Sequence, residues 1–272
     1  MGLDVSAFKF LLHKSDEEGF GTTVTLGRQN CHTSLHYLKK AGWKRKDAPN
    51  FIEDICVDLF RSEPEVQSID NSSYEDATII HNMNNPFDDE IPKFDTVLDL
   101  GTLEHVFNVK QSFINASSLL KIGGRIMHVL PSNNFGGHGF YQYSPELFFS
   151  LYSEENGFTE TEVYVKSSTS SNTYFRVKKP VNGERAQITS IYPVYVCVSA
   201  KKIKEVDKLI VQQSDYVTLW DESSVNKTDF KNLSGSNISN WDRWPIKYLY
   251  RPYVLIKNGL NIFNPHLSKC KF

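Results

Sequence analysis

Short runs of β-branched and aliphatic residues recur through the first 150 positions, each ended by a polar or helix-breaking residue. Helical periodicity fills most of the intervals between them, and this alternation confines the fold more tightly than any other feature. A run from Thr22 to Leu26 stops at Gly27, and Val66 to Ile69 ends in Asp70. Ala77 to His81 gives way to a polar segment from Asn82 to Pro86, Phe94 to Leu100 stops at Gly101, and Arg125 to Leu130 is broken by Pro131. Residues 1–20 read as a short amphipathic helix and a polar loop, and further helices are predicted over about 34–41, 51–60 and 109–120. In the second of these, Phe51, Ile52, Ile55, Cys56 and Leu59 share one face. Ser144 and Pro145 are favourable start chemistry for another helix.

Strands alternating with helices imply right-handed crossovers, a largely parallel sheet and helices on both of its faces. Beyond Phe158 the rhythm changes: Thr161 to Val165, Tyr174 to Val177 and Ile188 to Val198 read as further strands, antiparallel and closing one edge. The expected fold is α/β and Rossmann-like. It has a mostly parallel seven-stranded sheet, helices on both faces and antiparallel strands at one edge, all within residues 1–200. Residues 201–272 are expected to form a C-terminal extension. Its segment from Trp241 to Phe272 interleaves rings such as Trp244, Tyr248 and Tyr253 with Arg243, Lys247, Arg251, Lys257, Lys269 and Lys271. It reads as an arm packing back onto the domain, or as a surface for a partner, an acidic glycan or a membrane face.

Composition narrows the function classes. A net charge of -2 lacks the basic excess of a nucleic-acid binder. No apolar run is long enough to span a bilayer, and charges interrupt the stretch from Phe8 to Leu12, so neither a transmembrane segment nor a signal peptide is expected. Met1 to Ser6 fits the permissive N-myristoylation pattern and is read as chance. Cys31, Cys56, Cys197 and Cys270 show no CxxC spacing, which suggests reduced thiols in a cytoplasmic protein. No histidine–carboxylate group has ligand spacing along the chain, so no metal is expected.

In an open parallel sheet, ligands bind outside the carboxyl ends of the strands. Gly27 permits close approach of backbone to ligand. Asp70 is placed either to accept the two ribose hydroxyls of a nucleoside or to cap a turn. The segment from His81 to Asn84 could read adenine edges. After the fifth strand, the loop from Pro131 to Tyr143 sets His138 between glycines and follows it with aromatic residues. His138 is the candidate general base, with a structural histidine as the other reading, and Asn133, Tyr141 and Gln142 are candidate substrate contacts.

The segment Phe94-Asp95-Thr96-Val97-Leu98-Asp99-Leu100-Gly101-Thr102-Leu103-Glu104-His105-Val106 resembles the fourth-strand motif of class I S-adenosylmethionine-dependent methyltransferases, in particular those with "LEHV". Leu120-Lys121-Ile122-Gly123-Gly124-Arg125-Ile126 is similar to their "LLKPGG" segment, with Ile122 in place of proline. The resemblance covers about residues 20–165. It implies S-adenosyl-L-methionine as cofactor. The cofactor side would comprise Gly27, Arg28, Gln29, Asp70, Asn82, Met83, Asn84, Gly101, Thr102, Leu103 and Glu104. One departure stands out: the family's glycine-rich first loop here reads Leu26-Gly27-Arg28-Gln29-Asn30, with a single glycine. Arg28 or Gln29 contacts the cofactor carboxylate instead, or the site has decayed, or the strand is assigned out of register. The expected activity is methylation, on oxygen of a small molecule or saccharide. A catalytically impaired scaffold on the same fold is the alternative. A nicotinamide-dependent oxidoreductase ranks last, because neither Gly-x-Gly-x-x-Gly nor a suitably placed Tyr-x-x-x-Lys is present.

Overall fold

The computed structural model describes residues 2–88, 91–169, 173–180, 186, 188, 190–213 and 267–272. In chain order the strands and helices are β1 (Gly2–Leu3), α1 (Val5–Glu17), β2 (Thr23–Leu26), β3 (Asn30–Cys31), α2 (Leu35–Lys40), α3 (Glu53–Phe60), β4 (Gln67–Asp70) and β5 (Ile79–Ile80). They continue as β6 (Phe94–Asp99), a 3-10 turn at Leu103–His105, α4 (Val109–Ser118), β7 (Leu120–Asn133) and α5 (Pro145–Leu151). The last are β8 (Phe158–Ser167), β9 (Thr173–Val177), β10 (Val194–Lys202) and β11 (Leu267–Lys271).

The main sheet runs β5-β4-β2-β6-β7-β10-β8-β9-β11. Strands β5, β4, β2, β6 and β7 are parallel, and β10 lies antiparallel between β7 and β8. From β2 the chain builds outward first through β4 and β5, then on the other side through β6 and β7. The direction of winding therefore reverses at the β2–β6 boundary, which opens a crevice at the strand carboxyl ends. This is the expected Rossmann-like α/β arrangement. Among the described residues the sheet holds nine strands rather than seven, and its pairings are half antiparallel rather than mostly parallel, because β9 and β11 extend the antiparallel edge and pair backbone groups that β8 would otherwise leave open.

Alternating side chains divide the interior into two cores. Val97, Ile126, Leu130, Val196 and Val198 face one core with Phe113 of α4 and Phe148 of α5. Leu98, Met127, Val129 and Cys197 face the other, with Phe8 and Leu11 of α1 and Phe60 of α3. Helices thus cover both faces, each contributing an apolar stripe.

Three strand boundaries depart from expectation. β7 runs through Pro131 to Asn133, because Pro131 sits opposite Tyr195 at a bulge where no ladder N–H is needed, and its carbonyl accepts from Tyr143 N at 2.8 Å. β5 shrinks to two residues, since the Thr78 hydroxyl takes over the ladder by accepting from Ser68 N at 2.8 Å and donating to Ser68 O at 3.0 Å. β10 starts at Val194, just after Pro193, which has no N–H to give. Of the aromatic tail, the stretch from Trp241 to Phe263 lies outside the described residues. In the last described segment, β11 pairs with β9, and the Phe272 ring lies 4.1 Å from that of His13 and 4.5 Å from that of Tyr174. No described helix is long and apolar enough to cross a membrane.

Candidate functional site

Strand register gathers the polar strand ends on one rim. Leu26 is level with Ile69 and with Asp99, Asp70 with Ile80, and Asp99 with His128. Gly27, Asp70, His81 and Gly101 are therefore neighbours along the crevice. Gly27 N donates to Ile69 O at 2.6 Å, and His81 N donates to Asp70 O at 2.8 Å.

The single-glycine loop is closed by side chains. Gly27 has φ +69, and a Cβ there would lie 2.6 Å from Thr102 Oγ1. The buried Gln29 amide donates to Leu26 O at 2.5 Å and to Thr102 Oγ1 at 3.0 Å, while Thr102 Oγ1 donates to Leu26 O at 2.6 Å. Arg28 turns away from the crevice: its Nε donates to Glu53 at 2.9 Å, its guanidinium stacks 4.0 Å over Phe51, and Nη1 reaches Glu75 O at 2.5 Å. Both side chains expected at a ligand carboxylate thus have protein partners.

Asp70 is less committed, its carboxylate accepting only a long 3.4 Å contact from Arg28 N among the described residues. In the next loop, Asn82 Oδ1 accepts from Asn84 N at 3.0 Å, and Asn84 holds Asn108 through bonds of 2.8 and 2.9 Å. These amides shape the turn and dock it on the start of α4. Met83 points into the core, where it is buried, rather than onto the rim.

The turn after β6 hangs on Asp99, whose Oδ1 accepts from Thr102 N at 3.0 Å. Its other oxygen accepts from His128 Nδ1 at 2.8 Å, and His128 Nε2 lies 2.6 Å from the Tyr152 hydroxyl. Asp99 and His128 are fully buried and Tyr152 nearly so. Burial, with the Asp99 charge adding, holds the Tyr152 phenol well above the usual tyrosine range. A histidine inside the apolar run Ile126-Met127-His128-Val129-Leu130 was the signal available in the sequence, since a polar side chain there needs buried partners.

This turn sets Glu104 beneath the loop that follows β7. Glu104 O accepts from Phe140 N at 2.7 Å, and Gly139, at φ +74, approaches so closely that a Cβ would lie 2.8 Å from Glu104 Cγ. His138 Nε2 lies 3.5 Å and His105 Nε2 3.8 Å from Glu104 Oε1. Both Glu104 oxygens and His138 Nε2 are buried without a hydrogen-bond partner among the described residues. Burial, reinforced by Asp99, pushes the Glu104 carboxyl up to about 8, while burial lowers both histidines from their usual value. Sequence spacing does not reveal this cluster, because Glu104 and His138 meet only through the pairing of β6 with β7. The candidate substrate contacts line the same loop but hold it together. Tyr141 donates its hydroxyl to Phe107 O at 2.8 Å, Gln142 Oε1 accepts from Phe135 N at 2.8 Å, and Asn133 Oδ1 accepts from Asn134 N at 2.9 Å. Beside them, exposed Phe107 and Phe140 pair edge to face, their centroids 6.1 Å apart.

No match was found among protein-family models or curated protein sequences. Among solved structures, the chain is similar to a Thermotoga maritima S-adenosylmethionine-dependent methyltransferase at 13% identity and a TM-score of 0.38, over 72% of this chain and 89% of that one. It is also similar to the 1,6-didemethyltoxoflavin-N1-methyltransferase of Burkholderia thailandensis, at 16% identity and a TM-score of 0.38, over 74% and 77%. A third is the YcgJ protein of Bacillus subtilis, at 8% identity and a TM-score of 0.40, over 72% and 99%.

Proposed function

We propose that the chain is an S-adenosylmethionine-dependent methyltransferase acting on an oxygen of a small molecule or saccharide. The observation that carries this reading is the rim itself. A winding reversal at β2–β6 lines up Gly27, Asp70 and Gly101, and buried Glu104, with half-buried His138 over it, stands beside them. Asp70, with a carboxylate largely free of protein partners, is the group to hold the ribose hydroxyls. When bound, S-adenosylmethionine supplies a methyl group already activated by its sulfonium, so the protein has chiefly to position an acceptor and take its proton. The neutral imidazole of His138, held over Glu104, receives that proton. Exposed Phe107 and Phe140 offer rings on which a sugar or flat acceptor can lie. As a methyltransferase of a diffusible acceptor, the protein would work in the cytoplasm.

One observation favours a second reading, a non-catalytic scaffold: Gln29 and Thr102 fill the loop that a cofactor's amino-acid portion would need. Calorimetric titration with S-adenosylmethionine separates the two. The methyltransferase reading predicts saturable heat in the wild type and its loss in Asp70→Ala. Absence of heat at high protein concentration overturns it in favour of the scaffold.

A further inference from the structure

We infer that Glu104, His105 and His138 form a binding site for a divalent first-row transition-metal ion. The site stands on side-chain geometry alone and goes beyond the methyl-transfer reading. One carboxylate oxygen and two imidazole nitrogens, one from each of the three residues, all lie within 4.8 Å of one another. Both Nε2 atoms converge on Glu104 Oε1, at 3.5 and 3.8 Å, with the two rings inclined at 68°. These separations exceed hydrogen bonds. They are close to the roughly 3.3 Å between neighbouring donors around a tetrahedral ion with ligand bonds of about 2.0–2.2 Å.

The polar accounting points the same way. A fully buried carboxylate with neither oxygen bonded is costly, and here it faces an imidazole nitrogen that is also buried and unbonded. A cation between them satisfies all three atoms together. The backbone is shaped to bring the pair close. Gly139 occupies a left-handed conformation against Glu104 Cγ, and Glu104 O ties down Phe140 N, so His138 is carried over the carboxylate. Two imidazoles and one carboxylate suit zinc, iron(II) or manganese, whereas calcium and magnesium prefer oxygen donors throughout. His105 is about half exposed, which leaves the outer side of the ion open to an incoming oxygen. With the ion in place His138 would be a ligand rather than the proton acceptor, and an acceptor hydroxyl bound there would lose its proton more readily, to solvent.

The test is calorimetric titration of the chelator-treated, full-length protein with Zn2+, repeated with Co2+ and read by visible absorbance. The expected result is one ion per chain and cobalt bands of a nitrogen–oxygen site. Affinity should fall at least about tenfold in both Glu104→Gln and His138→Ala, and stay unchanged in His36→Ala. Circular dichroism verifies folding, and His138→Ala, on a half-exposed loop, serves should Glu104→Gln not fold. Absence of zinc uptake, or uptake unaffected by either cluster substitution, overturns the proposal and leaves Glu104 as a neutral buried acid. A parallel S-adenosylmethionine titration keeps the two questions apart. Zinc uptake without cofactor heat retains the metal site and rejects the methyltransferase; the reverse rejects only the metal site.

Discussion

Tyr152 shows how much a single buried hydroxyl does in this site. Its O–H satisfies His128 Nε2, His128 satisfies Asp99, and Asp99 holds the turn that carries Glu104. Tyr152→Phe would leave the His128 nitrogen buried and unbonded, which costs about 1–3 kcal/mol. Urea denaturation should show a loss of that size with an unchanged m-value; an unaltered midpoint would mean the hydroxyl contributes nothing. Gly139 is the other residue under tight constraint. Gly139→Ala places a methyl 2.8 Å from Glu104 Cγ at a left-handed φ, whereas a Cβ at Gly136 meets nothing within 4 Å. The first substitution should destabilise by about 1–3 kcal/mol and the second should be close to silent in a thermal melt; equal effects would contradict the close approach. At this scale the sequence was legible in position: Asp70 does end β4, and His138 does lie in the loop after β7. It was silent on pairing: nothing in the spacing of Arg28 or Gln29 discloses that Glu53 and Thr102 would claim them.

Among the elements, the strands and helices were legible because burial on two faces imposes apolar runs, and glycine, asparagine and proline punctuate them. Boundaries failed where side chains replaced backbone pairing, as Thr78 does at β5. How α1 is latched to the sheet was not legible either. Lys14, almost wholly buried, reaches Glu162 of β8 at 2.5 Å and Glu17 at 2.9 Å. Burial alone would raise the Glu162 carboxyl, but the Lys14 hydrogen bond and the Lys14 and Arg176 charges outweigh it and hold the carboxyl below its usual value. A depressed carboxyl stabilises the fold above its unfolded pKa, about 4.3, and that contribution is lost as pH falls through the lower folded value. The stability advantage of wild type over Glu162→Gln should therefore be full at pH 7, begin to fall near the unfolded value of about 4.3 and vanish only below the lower folded one, read from urea midpoints across the range. A gap that persists under acid would show that the latch is not ionic. At the far end of the chain, Phe272→Ala removes a ring packed against His13, Tyr164 and Tyr174. It should cost about 1–2 kcal/mol; a neutral result would mean that β11 is not held by this contact.

For the molecule as a whole, the alternation of strand and helix was enough to anticipate a two-faced sheet with a parallel half and an antiparallel edge. The order of strands was not, since order depends on which apolar faces meet: β10 inserts between β7 and β8, and β11 joins β9 across a long sequence separation. The Glu104–His105–His138 cluster was hidden for the same reason: it exists only once β6 and β7 lie side by side. The proposed methyltransferase would hold a nucleoside along the rim of the sheet, and a crystal structure with S-adenosylhomocysteine soaked in tests that most directly. The account predicts the ribose on Asp70, Gln29 swung out of the first loop, and the sulfur directed towards Glu104 and His138. A ligand bound away from the carboxyl ends of β2, β4 and β6, or a rim unchanged at saturating ligand, would contradict it.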